Sequence, residues 1–477
     1  MMEAIESFVA LLEPFRDCFT KPTYSTFVTL FVGLALSYRR RYITDAIITT
    51  GNTRRGHHSN YHRFFSQAAW SLDQVSLTMV MLIVRTFVPC GVIFIAVDDT
   101  LRRRRGLSLF GAGMHYDPLM SSRGRKVVNW GHCWVVVSIV VGNLPWAPGR
   151  YWSLPILFRL YRNRQGKTKG LKTSPKSVKR TSKGGQGKVA KVLTKSAVQK
   201  DPSPPHRTKP ELAVELITLL AAWLPDREFL LTGDSAYGGA SVAKHLPANM
   251  HLISRAHSEA ALYAEAPLPG PNQKAGRPRK KGNRLPKIKD WANDSSKPWE
   301  SLNFNQFGLH AELLVKTCQA LYYTTAGQRL LTIVLSRDTT GGRPDAVFYC
   351  TNLKLTPREI LSTYATRWSI EMTFENCKQL LGFGDAANRV PLAVERTAPM
   401  SMILYSVIVL WFHSEGQDSL RFPDRPWYRH KRFPSFADML TTLRRESLAK
   451  QIRRVLKNTR VDETQLAQLV ELHTLAG

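Results

Sequence analysis

At 477 residues the chain has room for roughly two to four domains and a substantial core. Its 67 Lys and Arg against 36 Asp and Glu leave +31 at pH 7, a charge suited to a polyanion, with nucleic acid the first candidate and an anionic membrane surface the second. The six cysteines are scattered, with no pair at metal-ligand or redox spacing, which argues against a disulfide framework and for a reducing compartment.

The opening stretch, MMEAIESFVALLEPF, carries Glu3 and Glu6 in place of a basic leader, so no secretory signal is expected. Residues 1–87 read as helical. Within them, 42–70 loosely resembles a helix-turn-helix element, with a break at Gly51-Asn52 and Ser59 or Asn60 as a cap. His57, His58 and His62 have no Cys or carboxylate beside them and read as part of a basic helix face. From residue 91 the period changes. GVIFIAVDDT is a buried strand ending in Asp98 and Asp99, and GAGMHYD and HCWVVVSIVVGN follow as two more strands of an antiparallel start. The apolar runs at 75–97, 134–148 and 400–412 are interrupted or short of the roughly 20 residues a membrane span needs, so buried elements and no membrane partner are expected.

Residues 163–210 are rich in Lys, Ser, Thr, Gly and Pro, contain one acid (Asp201) and no aromatic residue, and read as a flexible basic loop inserted in the fold. An amphipathic helix (211–224), a strand ending at Asp234 (227–239), a short helix and another strand (250–256) come next. A second basic stretch spans 267–290, and 320–338 and 345–353 read as strands. Thr356, Pro357 and Glu359 form a capping box with proline at its favoured place, opening a helix expected to run to Gly382. A buried helix (395–412) and a basic amphipathic one (436–458) end the pattern.

This order implies an α/β fold: a ribonuclease-H-like mixed sheet, with a β-containing insertion before the helix that carries Glu371. The expected division is a helical N-terminal region (1–87), a core (88–258 and 356–415), an insertion (259–355) and a helical C-terminal region (416–477). In such a core the first and fourth strands are neighbours. Asp99 and Asp234 would then lie side by side, with Glu371 brought to them by its helix. Asp98 competes with Asp99, because adjacent strand residues face opposite ways, and Glu375 is a rival for Glu371. Three converging carboxylates repel unless cations separate them, and their hard oxygens suit two Mg²⁺ ions, or Mn²⁺, about 4 Å apart.

One helix stretch, YATRWSIEMTFENCK, spaces Tyr364, Arg367, Glu371 and Lys378 within an arc of roughly 60° at about 100° per residue. This Tyr-x2-Arg-x3-Glu-x6-Lys pattern resembles the signature of bacterial insertion-sequence DDE transposases, which have a ribonuclease-H-like core. VDDT (97–100) resembles that group's first-aspartate motif, with Asp99 as the match, and GDSAYGG (233–239) resembles the second, at Asp234. The resemblance covers roughly 90–400. It implies that Asp99, Asp234 and Glu371 hold the catalytic metals, while Tyr364, Arg367 and Lys378 contact phosphates near the cleaved end. It also implies double-stranded DNA partners (terminal inverted repeats and target), a homodimer on DNA, and a cytoplasmic, nucleoid-associated location.

Further DNA contacts are expected from Arg102, Arg103 and Arg104 in LRRRRG (101–106), directly after Asp99. GRPRKKG (276–282) resembles an AT-hook, with Arg277 and Arg279 entering a narrow minor groove. Trp291 and Trp299 are candidates for stacking on a flipped base.

Overall fold

The computed structural model describes residues 5–38, 40–54, 56–106, 108–122, 124–164, 205–267, 278–306, 309–422, 430–455 and 470. Most of the 163–210 loop, and Arg277 with the first half of the AT-hook-like motif, lie outside the described residues.

The centre is a mixed ten-stranded sheet. Its strands are β1 (Ile93–Arg103), β2 (Gly113–Tyr116), β3 (Val128–Leu144), β4 (Ala147–Tyr161), β5 (Phe229–Gly233), β6 (Met250–Ala256), β7 (Glu300–Gln306), β8 (Leu309–Leu321), β9 (Leu330–Asp338) and β10 (Ala346–Cys350). β3 pairs antiparallel with β1 on one side and with β2 and β4 on the other. β5 runs parallel to β1, and β6 parallel to β5. The run β4-β3-β1-β5-β6 is the ribonuclease-H-like order, so the expected fold class is present.

Two features of the sheet differ from the sequence expectation. The third core strand is β4, a stretch not expected as a strand, which contains Pro148 and Pro155. Pro155 is tolerated because the β3–β4 register shifts between Val137 and Ser138, where a residue without an N–H does least harm. The insertion strands also join the central sheet. β10 pairs with β6 from Val347 opposite Ala256 to Cys350 opposite Ile253, and β9, β8 and β7 follow outward.

The helices are α1 (Glu6–Ala10), α2 (Lys21–Leu36), α3 (Ile43–Thr50), α4 (Ser59–Ser66), α5 (Leu72–Phe87), α6 (Lys209–Trp223), α7 (Ala240–Ala243), α8 (Ile288–Asn293), α9 (Tyr323–Ala326), α10 (Pro357–Thr366), α11 (Trp368–Leu380), α12 (Pro391–Ser414) and α13 (Phe436–Val455). α12 is the one described helix long and apolar enough to cross a membrane, but most of its apolar stretch is buried. It packs against β4, α4, α5, α11 and α13. The N-terminal helices share this core: Phe8, Phe27, Phe64 and Val80 belong to the same buried cluster as Val97, Leu231 and Leu404. Arg396 of α12 donates to the Ala68 and Trp70 carbonyls, tying the N-terminal region to the core.

Candidate active site

The acids converge because of register. β1 and β5 pair in parallel through Val97 and Gly233, so one step further places Asp98, midway along β1, beside Asp234, just past the end of β5. Both then share a face with α11. Arg367, at the junction of α10 and α11, donates from one nitrogen to Asp98 Oδ2 at 2.7 Å and from the other to Glu371 Oε1 at 2.8 Å. Its side chain is 13% exposed, and its Nε is buried without an acceptor among the described residues. Burial raises Asp98 to about 7 against the pull of Arg367, and repulsion from Asp99 and Asp234 adds to the rise. Asp234 is fixed by the turn that follows it: its Oδ1 accepts from the Ala236 N–H at 2.9 Å, and its carbonyl accepts from the Ser254 hydroxyl.

Asp99, the residue expected as the first acid, faces the other way. Its Oδ2 accepts from Lys209 Nζ at 2.6 Å and from the Cys133 thiol at 3.2 Å, and its Oδ1 accepts from the Tyr237 hydroxyl at 2.8 Å. Burial penalises the Lys209 charge, but the Asp99 carboxylate more than offsets this and holds Lys209 above its usual range. The physical reason for the difference is strand alternation: Asp98 and Asp99 cannot both reach α11. The structure therefore groups Asp98, not Asp99, with Asp234 and Glu371. Glu375, the rival of Glu371, accepts from the Gln379 amide on the exposed side of α11.

The expected single helix is broken. α10 ends at Thr366 and α11 begins at Trp368, with the Arg367 N–H bonding back to the Tyr364 carbonyl in a tighter turn. The capping box at Thr356 and Glu359 is present. Tyr364 still lies near Arg367, 6.0 Å from ring centroid to guanidinium carbon, and packs edge-on against Phe348. It is also close enough to Arg255 and Asp234 for their charges to act on its hydroxyl. Lys378 lies at the other end of the stripe. Burial lowers it, and the neighbouring Arg102 charge lowers it further. Arg255, at the end of β6, went unnoticed in the sequence. Its only signal there was a basic residue closing a buried strand.

Three of the four arginines in the run are anchored within the protein. Arg102 pairs with Asp385 at 3.2 Å and Arg103 with Asp117 at 2.7 Å. Arg104 donates to the carbonyls of Gly384 and Ala386 and to His132 Nδ1. Trp291 is buried in the core, and the ring of Trp299 lies under Lys316 and Arg337, so neither is open to a base. Arg279 is exposed.

Three hard carboxylates, one of them buried beside two other acids, suit a divalent cation. Among the described residues no three His, Cys, Asp or Glu groups close around a common point, and the Arg367 guanidinium supplies the positive charge between Asp98 and Glu371. By chemistry the residues fit such a cation.

A ribonuclease-H-like sheet with one acid on β1, one just after the adjacent β5 and a third on α11 defines a nuclease. A family model described as DDE superfamily endonuclease matches residues 14–319, and the chain belongs to that family. The match spans Asp98, Asp99 and Asp234 and ends short of Glu371. DDE endonucleases act on DNA and use divalent metal ions. Comparison with curated proteins gave no match.

Proposed function

We propose that this DDE endonuclease is the transposase of an insertion sequence, acting at Asp98, Asp234 and Glu371. It binds the terminal inverted repeats, cleaves at the transposon ends and joins the freed ends to target DNA. Sequence recognition falls to the helices before residue 88, and pairing of two ends requires a homodimer on DNA. The chain works in the cytoplasm, on the nucleoid.

The single observation that supports this reading best is Arg367, which ties Asp98 of β1 to Glu371 of α11 next to Asp234. When bound at these acids, two Mg²⁺ ions, or Mn²⁺, supply the Lewis acidity that activates the attacking oxygen and stabilises the leaving one. The chain's own residues orient the scissile phosphate. Arg367, whose two terminal nitrogens hold Asp98 and Glu371, aligns the acids, while Tyr364 offers the phosphate a hydroxyl donor and Lys378 a point charge. Together they form the Tyr-Arg-Glu-Lys stripe, with the phosphate ligands on either side of the acid.

The test uses the full chain, Mg²⁺, a plasmid carrying the inverted repeats that flank its coding sequence, and a second target plasmid. Joined donor-target products are expected. Cleaved ends with no joined product would replace transposition with a structure-selective nuclease, and end binding without cleavage would leave an inactive DNA-binding relative.

A further inference from the structure

A cleft of about 690 Å³ lies where three distant segments meet. They are the end of β1 and its extension (102–106), the turn after α11 (384–389), and the link between α2 and α3 (40–42). Its lining is unusually basic, and the arginines in it fall into two groups.

Arg102, Arg103 and Arg104 hold the walls. Arg102 Nη2 donates to Asp385, Arg103 Nε to Asp117, and Arg104 Nη1 to the Gly384 and Ala386 carbonyls, so each is anchored to the wall. The turn is shaped to receive them. Gly384 sits at φ +83°, and a Cβ there would lie 2.4 Å from Arg102 Cγ, so only glycine admits the Arg102 side chain. Arg40, Arg105 and Arg389 behave differently. All three are exposed, and among the described residues none has an acidic partner. Arg40 rests on the Tyr42 ring and donates to its hydroxyl, which aims the guanidinium without neutralising it.

Three unneutralised guanidiniums, brought together from three segments and backed by pinned arginines, form a row of anion sites. Arg102, in the wall of the cleft, lies close enough to Lys378 of α11 for its charge to act there, which links the row to the helix that carries Glu371. A repeating polyanion matches this arrangement better than a single small anion. Guanidiniums spaced along an open groove can each take one phosphate, and neutralising phosphates is the dominant source of sequence-independent DNA affinity.

We propose that this cleft carries the sugar-phosphate backbone of duplex DNA leading from the active site, with Arg40, Arg105 and Arg389 each neutralising a phosphate. Arg102, Arg103 and Arg104, each anchored to a wall, shape the cleft. The inference rests on the DNA-acting function above, and its test separates the two.

The experiment measures binding of the full chain to a labelled duplex of arbitrary sequence, by fluorescence anisotropy, across a range of KCl concentrations. The slope of log affinity against log salt is expected to flatten by about 0.9 for each of Arg40→Gln, Arg105→Gln and Arg389→Gln, and by about 2.7 for the triple variant. Arg105→Glu, at an exposed loop position, provides a second, folded reporter and should weaken binding more than Arg105→Gln. A wild-type slope in the triple variant with a normal melting temperature would overturn the cleft assignment alone. Wild-type protein with no salt-dependent duplex binding would overturn the DNA-acting reading as well.

Discussion

At the scale of single residues, the choice between Asp98 and Asp99 decides the chemistry. Both lie midway along β1, which runs on to Arg103 instead of ending at the aspartates, and a sequence cannot give the phase of a strand that is covered on both faces. The neighbouring motif was legible; the side on which each carboxylate projects was not, because it depends on register with β5. Asp98→Asn is expected to remove several kcal/mol of transition-state stabilisation, about 10²–10³-fold in cleavage rate, in a Mg²⁺-dependent end-cleavage assay. Asp99→Asn should retain cleavage and show its cost in stability, since it loosens Lys209 and Tyr237. His132 adds a pH dependence. Burial, helped by Arg104, lowers it to about 4, with Nδ1 accepting from Arg104 and Nε2–H donating to the Phe110 carbonyl. The unfolded ring takes up a proton from about pH 6.5 downward, but the folded ring does so only near 4. Stability from this residue is therefore full above pH 6.5 and falls as pH drops to 4, by up to roughly 3 kcal/mol. Denaturant titrations at several pH values should show this slope, and His132→Gln should flatten it.

At the scale of elements, the helix that carries Glu371 was the most legible. Its capping box, apolar back and polar stripe were all readable. The break at Arg367 was not, because no glycine or proline marks it; Arg367 instead answers to Asp98, far away in sequence. β4 was missed for the opposite reason: its prolines argue locally against a strand, and a register shift in β3 makes room for one of them. α11 is fixed to β4 by a small buried network. The Thr373 hydroxyl donates to the Ser153 carbonyl at 2.8 Å, and the Ser153 and Ser369 hydroxyls meet at 2.8 Å. Thr373→Val keeps the shape and removes the donor, and should cost about 1–3 kcal/mol in equilibrium unfolding. Because Glu371 rides on the same helix, the cleavage rate should fall alongside stability.

At the scale of the whole molecule, the strand order of the core was legible from the alternation of elements, but the fusion of parts was not. The N-terminal helices bury their aromatic residues in the same core as the sheet, and β7–β10 extend that sheet beyond β6. Composition alone could not reveal either, since a shared core and a separate one need the same apolar residues. The net charge of +31 was the plainest whole-chain signal, and part of it lies around the arginine cleft. The central claim is that three acidic segments meet around shared cations. Fe²⁺ in place of Mg²⁺, with ascorbate and peroxide, cuts a polypeptide near where the metal binds. Cuts near residues 98, 234 and 371, suppressed by excess Mg²⁺, are the expected result. Cuts near only one of these segments, or only elsewhere in the chain, would contradict it.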